Sequence, residues 1–573
     1  MSKNAWNVLV IALLGCLTLG CFGCSNSSKV TGQNASSSSA LSSASSSSSV
    51  SVSSSAQVSV SPYIHWSDGQ FLDSSNKPLL MQGVCLGNQV WSSAVAPVGD
   101  LTEADFVRIQ SMHMNAVRFY LSYKFFENDA APLQWKANGF AWLDTNIAWA
   151  KRHGIYLILN MHVPEGGYQS NGAGAALWDD ASNQQRLKAL WATLAAHYAN
   201  ETTIAGLDLV NEPVVSQSKR QWQTLAQSLI DTIRTADTNH LIFVERLNGI
   251  IHGSYDNDAS MNFVTVSDPI HKTGLTFHFY SPIEYTHQLT SWTSFGEDGP
   301  YPDSSRLELG QTEWATATFN SPKIAAGTTD WTFYQGSTYL INADTISLAK
   351  PTLVCQSVGT GTVWFDSLRV EELDSTGSVI STLENVDIAD GSNWWFWAAN
   401  TVGSGAFDST QGLGTPGSIM ITGTTGDANE GNNNFTVVVH KGHRYRASGY
   451  MKGLNVPITA SCLVRLDLEK AVTPIQVRDK NYLASVLDQY YSYAKAQNVP
   501  VYVGEFGLNY VNFLNNKGRI NWVTDMIDLL QARGIAFTLH DYRENNFGIY
   551  YGTGPTDPSN ANQPLINLLT QKL

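Results

Sequence analysis

The stretch "IAGLDLVNEP", residues 204–213, runs almost unbroken through apolar and small residues and stops abruptly at Asn211, Glu212 and Pro213. A short apolar run of this kind reads as a strand buried on both faces. On either side lie "NQQRLKALWATLAAHYAN" (183–200) and "RQWQTLAQSLIDTIRTAD" (220–237), where apolar residues recur at three- and four-residue steps. A buried strand between two amphipathic helices is the unit of a parallel βαβ fold.

The same rhythm extends outward. Strand-like runs precede it at "LLMQGVCLG" (79–87), "NAVRFYL" (115–121) and "IYLILNMHV" (155–163), with the helical pattern "WLDTNIAWAKRHG" (142–154) among them. "HLIFVERL" (240–247) and "GLTFHFYSP" (274–282) follow it, making six strands. Then the rhythm breaks. Residues 305–473 carry short alternating segments such as "EWATATF", "GTVWFDSLRVEEL" and "RYRASGYMKG", separated by Gly, Asn, Asp and Thr. This is the pattern of an antiparallel β-sandwich. Helix–strand alternation resumes with "KNYLASVLDQYYSYAKAQN", "VPVYVGEFG", "GRINWVTDMIDLLQARG" and "IAFTLHDY". The fold expected is therefore an α/β (β/α)₈ TIM barrel with a jelly-roll-like β-sandwich inserted between strand six and its following helix. The corresponding divisions are barrel at 62–304, insert at 305–473 and barrel again at 474–573.

Composition narrows the function. The chain of 573 residues is 43% hydrophobic and 11% aromatic, with only 14% charged residues and 17 tryptophans. Flat aromatic rings suit packing against sugar rings, although most tryptophans in such a chain serve the core. A net charge of −14 argues against nucleic acid or an anionic membrane surface as a partner. Cys85, Cys355 and Cys462 are the only cysteines past the first 24 residues and allow at most one disulfide; no spacing reads as a metal site.

Residues 1–24 read as a targeting segment. Lys3 precedes "VLVIALLGCLTLGC", too short for a comfortable membrane span, and Cys16, Cys21 and Cys24 each follow a glycine. This resembles a bacterial lipoprotein signal, with "LLGC" and "TLGC" both open as the processing site; a plain secretory signal is the alternative. Residues 25–61 are serine-rich and nearly uncharged, a flexible tether. The expected location is a lipid-anchored bacterial outer-membrane or cell-surface protein, otherwise a secreted one, and the expected state a monomer.

Active sites of such barrels are built at the C-terminal ends of the strands. Those ends carry Arg118, His162, Asn211 with Glu212, Glu245 with Arg246, His278 with Tyr280, Glu505, and His540 with Asp541. Strands four and seven face each other across the barrel mouth, so Glu212 and Glu505 can meet over one substrate. Breaking a glycosidic bond takes two such carboxyls. The plainer reading of a strand-end glutamate is an ion pair with a nearby arginine, and that reading is preferred for Glu245 beside Arg246.

The set "NAVRFY", "NMHV", "LVNEP", "FHFYSP…THQ" and "PVYVGEFG" resembles glycoside hydrolase family five, the cellulase-type clan of retaining barrels. The resemblance covers the whole barrel. It implies Glu212 as general acid/base and Glu505 as nucleophile, with no cofactor and no metal. It further implies that Arg118 keeps Glu505 ionised, Tyr280 hydrogen-bonds it and Asn211 grips the sugar 2-hydroxyl. His162 and His278 would line the cleft by the reacting sugar. One departure stands out: family members usually carry a tryptophan at the end of strand eight, where this chain has His540. Tyr542, Arg543 and Glu544 are candidates for recognition beside it.

The resemblance implies a β-linked polysaccharide or oligosaccharide as substrate, first a β-1,4-glucan cut internally. β-Mannanase or exo-acting glucosidase action is the alternative within the family. A surface lipoprotein that binds glycan without cutting it is the alternative of another class. The insert resembles jelly-roll carbohydrate-binding modules, with Trp394, Trp395, Phe396 and Trp397 as candidate sugar-stacking residues; a role in shaping the cleft wall is equally open.

Overall fold

The computed structural model describes residues 61–252, 262–293, 295–308, 312–318, 321–391, 394–432, 435–471 and 476–573. The signal segment with Cys16, Cys21 and Cys24, and the serine-rich tether up to residue 60, lie outside the described residues.

Eight parallel strands close into a barrel: β1 (Gln82–Leu86), β2 (Ala116–Ser122), β3 (Tyr156–Val163), β4 (Ile204–Asp208), β5 (Leu241–Glu245), β6 (Thr273–Phe279), β7 (Val501–Phe506) and β8 (Ala536–Leu539). They run in sequence order around the ring, and β8 closes on β1 through Phe537↔Gln82 and Thr538↔Gly83. Each strand-like run quoted above contains one of them or overlaps it to within one residue. The outer layer holds α1 (Glu103–Ser111), α2 (Ala137–Arg152), α3 (Ala181–Tyr198), α4 (Lys219–Arg234), α5 (Lys480–Ala496), α6 (Arg519–Arg533) and α7 (Gln563–Lys572).

Their starts follow from local chemistry. Ser218 and Gln221 form a reciprocal capping box at α4, and Thr102 with Asp105 does the same at α1. α4 then buries Trp222, Leu225, Ala226, Leu229, Ile230 and Ile233, the three- and four-residue stripe that lays it on the barrel.

The sandwich enters after β6 and leaves before α5. Its first strand, Asp303–Glu308, pairs antiparallel with its last, Gln476–Arg478, so the insert joins the barrel through a two-stranded ribbon. Buried Arg478 fastens that ribbon: it pairs with Asp298 at 2.8 Å and with Glu308, and its guanidinium lies 5.7 Å from the Tyr285 ring centre. The insert itself is two antiparallel sheets. One is ordered Thr312–Thr318, Ser461–Ala471, Leu348–Gln356, Ala428–Asn432, Trp394–Ala398. The other is ordered Gly327–Tyr334, Arg444–Val456, Thr362–Leu373, Ser418–Thr422, Ser404–Asp408. Leu353, Val363, Phe365, Ile421, Tyr445 and Val464 fill the space between them. Cys355 and Cys462, directly opposite on neighbouring strands, form the one disulfide among the described residues, and Cys85 is a buried free thiol in the barrel.

The aromatic run of the insert divides as strand alternation requires. Trp394 and Phe396 pack against the sandwich core, Lys350 lies 5.8 Å from the ring centre of Trp395, and Trp397 alone of the four is exposed. The segment leaving β6 stays at the barrel mouth, with His287 and Trp292 against Phe547, and His287 also against Tyr280. Among the described residues no helix is long and apolar enough to cross a membrane.

Candidate active site

β2 is buried along its whole length, and its period of two sends Arg118 and Tyr120 to the same side, into the barrel mouth. Arg118 has no exposed surface. Its Nε donates to Asp208 at 2.8 Å, Nη1 to Glu505 Oε1 at 2.6 Å and Nη2 to Asn211 Oδ1 at 3.0 Å, and Glu245 lies 3.4 Å from Nη2. One guanidinium thus ties β2 to the strands and loops that carry the four other groups, using its fixed fork of donors.

Glu505 is held by more than that arginine. Tyr280 donates to its Oε2 at 2.8 Å and Tyr120 to its Oε1 at 2.5 Å. Burial pushes its pKa up, but His278, His540 and Arg118 around it outweigh burial and bring it well below the usual carboxylate range. It is an ionised carboxylate at neutral pH.

Glu212 sits just beyond β4 with φ of 41°, a left-handed backbone that a side-chain-bearing residue adopts at a cost of about 1–3 kcal/mol. From this turn the carboxylate reaches His278 at the mouth. His278 Nδ1 donates to its Oε1 at 2.8 Å and lies 3.5 Å from Glu505 Oε2. One ligand atom each of Glu212, His278 and Glu505 lie within 4.8 Å of one another. Burial raises Glu212, while the charge and hydrogen bond of His278 bring it below its ordinary value.

His278 is itself pushed up to about 9: burial opposes its charge, but Glu245, Glu505 and Glu212 together prevail. Its ring lies against Gly504, where an added Cβ would stand 3.2 Å from the imidazole and 2.9 Å from Thr276 Oγ1. By spacing, the trio of Glu212, His278 and Glu505 could also hold a cation. A doubly protonated imidazole offers it no lone pair at neutral pH.

The remaining candidates fall as follows. His162 is buried and stacks on Tyr120 with ring centres 3.9 Å apart; burial drives its pKa well down, so the ring is neutral. Asn211 has its carbonyl engaged by Arg118 and its amide donating to Ser170 Oγ at 3.3 Å. His540 contacts Tyr120 OH at 3.1 Å through Nδ1 and lies edge-on to Trp91. All eight candidate residues therefore come together at one mouth.

Four expectations need correction. The structural ion pair of Glu245 is not with Arg246: alternation turns Glu245 inward to Arg118 and His278, and Arg246 lies over the Tyr490 ring at 5.4 Å. Tyr542, Arg543 and Glu544 are buried and internally bonded, to Asp105, Asp100 and the backbone of Asn546 and Phe547 respectively. Sequence reading also missed Tyr120 and Asp208. The signal was present, since Tyr120 shares a strand face with Arg118 and Asp208 is a charge inside an apolar strand.

Comparison with known proteins gives the following similarities. The family model described as cellulase (glycosyl hydrolase family 5) matches residues 72–335 and 411–546. Endoglucanase C of Acetivibrio thermocellus is 28% identical over 194 residues, covering 34% of this chain and 54% of that protein. A beta-xylosidase of Phanerodontia chrysosporium is 32% identical over 178 residues, covering 30% and 37%. The match thus spans about half the length of the endoglucanase. Among solved structures, Thermotoga maritima Cel5A in complex with cellobiose aligns over 86% of this chain and 97% of that one, at 15% identity and a TM-score of 0.43. The chain belongs to glycosyl hydrolase family 5.

Proposed function

We propose that this protein hydrolyses β-glycosidic bonds of a plant-type polysaccharide with retention, as an endo-acting β-1,4-glucanase. The observation that carries the reading is the approach of Glu212 and Glu505, with carboxylate oxygens within 4.8 Å of each other. Retaining enzymes hold their carboxyls about 5–5.5 Å apart, whereas inverting ones leave roughly 6.5–9.5 Å for a water.

In the first step ionised Glu505 attacks the anomeric carbon, the bond to the leaving oxygen breaks, and Glu212 gives that oxygen its proton. In the second, Glu212 takes a proton from water as the water attacks the same carbon and frees Glu505. The electrostatics suit the exchange of roles. The charge of Glu505 is one of the influences raising Glu212, and esterification removes it. Sugar filling the cleft displaces water and favours the protonated form for the first step; loss of the neighbouring charge favours the base in the second. Arg118, Tyr120 and Tyr280 hold Glu505 in line, and Asn211 is placed to meet the 2-hydroxyl.

A cavity of about 470 Å³ adjoins this site, bounded by Trp91, Tyr123, Asp129, Tyr168 and Asn183. Room for sugar units beyond the reacting one favours a chain substrate, and relatives such as Endoglucanase C share that type of name. His540 in place of a tryptophan platform favours the second reading, a mannan-cutting or exo-acting enzyme of the same family. In either case residues 62–304 and 474–573 make the catalytic barrel and 305–473 an accessory module that contacts glycan or shapes the cleft. Export behind a lipoprotein-type signal and a monomeric state complete the proposal.

The test is product release on a range of β-glucans, mannans, xylans and aryl β-glycosides, with Glu505→Gln alongside. Glu505-dependent cutting within β-1,4-glucan is the expected result. Glycan binding with no turnover on any substrate would overturn it in favour of a binding lipoprotein.

A further inference from the structure

Among the described residues His278 touches both carboxylates assigned to the chemistry, and Glu245 faces the far nitrogen of its ring. β5 delivers Glu245 to the floor of the mouth; the indole nitrogen of Trp222 donates to its carbonyl at 2.7 Å, and its backbone pairs with Thr276 on β6. Glu245 is 2% exposed, and its carboxylate lies between two cations, Oε2 at 3.4 Å from Arg118 Nη2 and Oε1 at 3.4 Å from His278 Nε2. That ring nitrogen makes no hydrogen bond among the described residues, so the Glu245 carboxylate faces it as an ion-pair partner at 3.4 Å.

A buried carboxyl is costly unless it is paired. Arg118 already has Asp208, Asn211 and Glu505 as nearer partners, so the contact for which Glu245 stands apart is the one with His278. The two nitrogens of an imidazole are coupled: the partner on one fixes the ring orientation and protonation at the other.

We propose that Glu245 is a positioning residue which, from behind His278, orients the imidazole with Nδ1 on Glu212 and maintains its charge, and so sets the proton affinity of the acid/base. The proposal rests on the retaining reading given above. The titratable groups facing His278 are Asp208 and Glu212 from β4 and its end, Glu245 from β5 and Glu505 from β7, with Arg118 on β2, His162 on β3 and His540 on β8 across the mouth. Among the influences that raise the imidazole, Glu245 is the largest. Burial pushes Glu245 up in turn, and the charges of His278 and Arg118 pull it back down.

The experiment compares Glu245→Gln with the unaltered protein on an aryl β-glycoside and on soluble β-glucan, across the pH range. Without the carboxylate, His278 loses its charge near neutrality and Glu212 loses the cation that lowers it. The basic limb of kcat/KM then moves to higher pH by about half a unit or more, with a loss at the optimum of about five- to fifty-fold. Glu245→Asp keeps the charge and brings the limb part of the way back. A carboxylate serving only the fold would lower the rate evenly at every pH, and an unmoved limb in a folded Glu245→Gln overturns the proposal. Should Glu245→Gln not fold, the NMR titration of His278 in Glu245→Asp decides: a lowered imidazole pKa is expected, and an unaltered one overturns the proposal. Wild-type protein with no Glu505-dependent turnover would fail the catalytic reading instead, and the same His278 titration would still report the Glu245 contact separately.

Discussion

The barrel and the inserted sandwich each bury a glutamate on a β-strand, and treat it in opposite ways. Glu505 at the barrel mouth is surrounded by His278, His540 and Arg118, and two phenols donate to it; it stays ionised although burial opposes this. Glu430 lies between the sheets of the sandwich with burial as its only resolved influence, and its pKa is pushed up to about 8. A Cβ on Gly405 of the facing sheet would stand 1.9 Å from its Oε2, so the carboxyl fills the space a side chain there would need. The first arrangement keeps a buried charge by gathering cations and donors. The second removes the charge by keeping a proton. The difference teaches that a buried carboxylate marks a reacting site when other strands supply its partners, not because it is buried.

The strongest break of that comparison is Glu505→Gln. It removes the nucleophile while leaving the donors in place, and a loss of roughly 10⁵-fold in kcat is expected with folding intact. The product anomer followed by NMR should show retention in the unaltered protein. Glu212→Gln comes next, at about 10²–10⁴-fold, and less on aryl glycosides whose leaving group needs no proton.

Arg118→Met tests whether the partners hold the barrel as well as the chemistry. Asp208, Glu245 and Glu505 would share a site without their common cation, and a cost of about 3–5 kcal/mol is expected in denaturant unfolding. On the sandwich side, replacing both Cys355 and Cys462 by Ala opens a bridge between residues 107 apart and should cost that domain about 2–4 kcal/mol. Aryl-glycoside turnover by the barrel should change little.

The smallest effect belongs to Glu430→Gln. Its folded pKa of about 8 lies above the ordinary 4.5, so the folded state binds the extra proton between those values. Stability is therefore undiminished below about pH 4.5 and falls as pH rises toward 8. The substitution should flatten that slope in thermal unfolding followed across the range, and a slope unchanged by it would remove the contrast with Glu505.

Much of this was legible in the residues. Apolar runs long enough for a buried strand, alternating with three- and four-residue stripes, can satisfy their backbone and bury their faces in few ways, so the eight strands and the interruption after β6 follow from periodicity. Glu212, Glu505, Arg118 and Tyr280 stood out because polar residues ending apolar strands must face something other than the core. The identity of the partners was not legible, because it depends on which strand lies next to which across the ring. Neighbouring letters suggested that Glu245 pairs with Arg246, yet the pleat sends consecutive side chains to opposite sides. Tyr120, spaced two from Arg118, was passed over for the same reason in reverse. The aromatic run at 394–397 looked like a single platform, and alternation divided it between core and surface. Sequence by itself determined the elements, their order and the chemical types at the mouth, since periodicity and side-chain chemistry are local. Only the closed barrel decided which carboxylate stays charged, which histidine carries the proton and where Glu245 points, because electrostatics at a few ångströms depends on contacts between residues far apart in the chain.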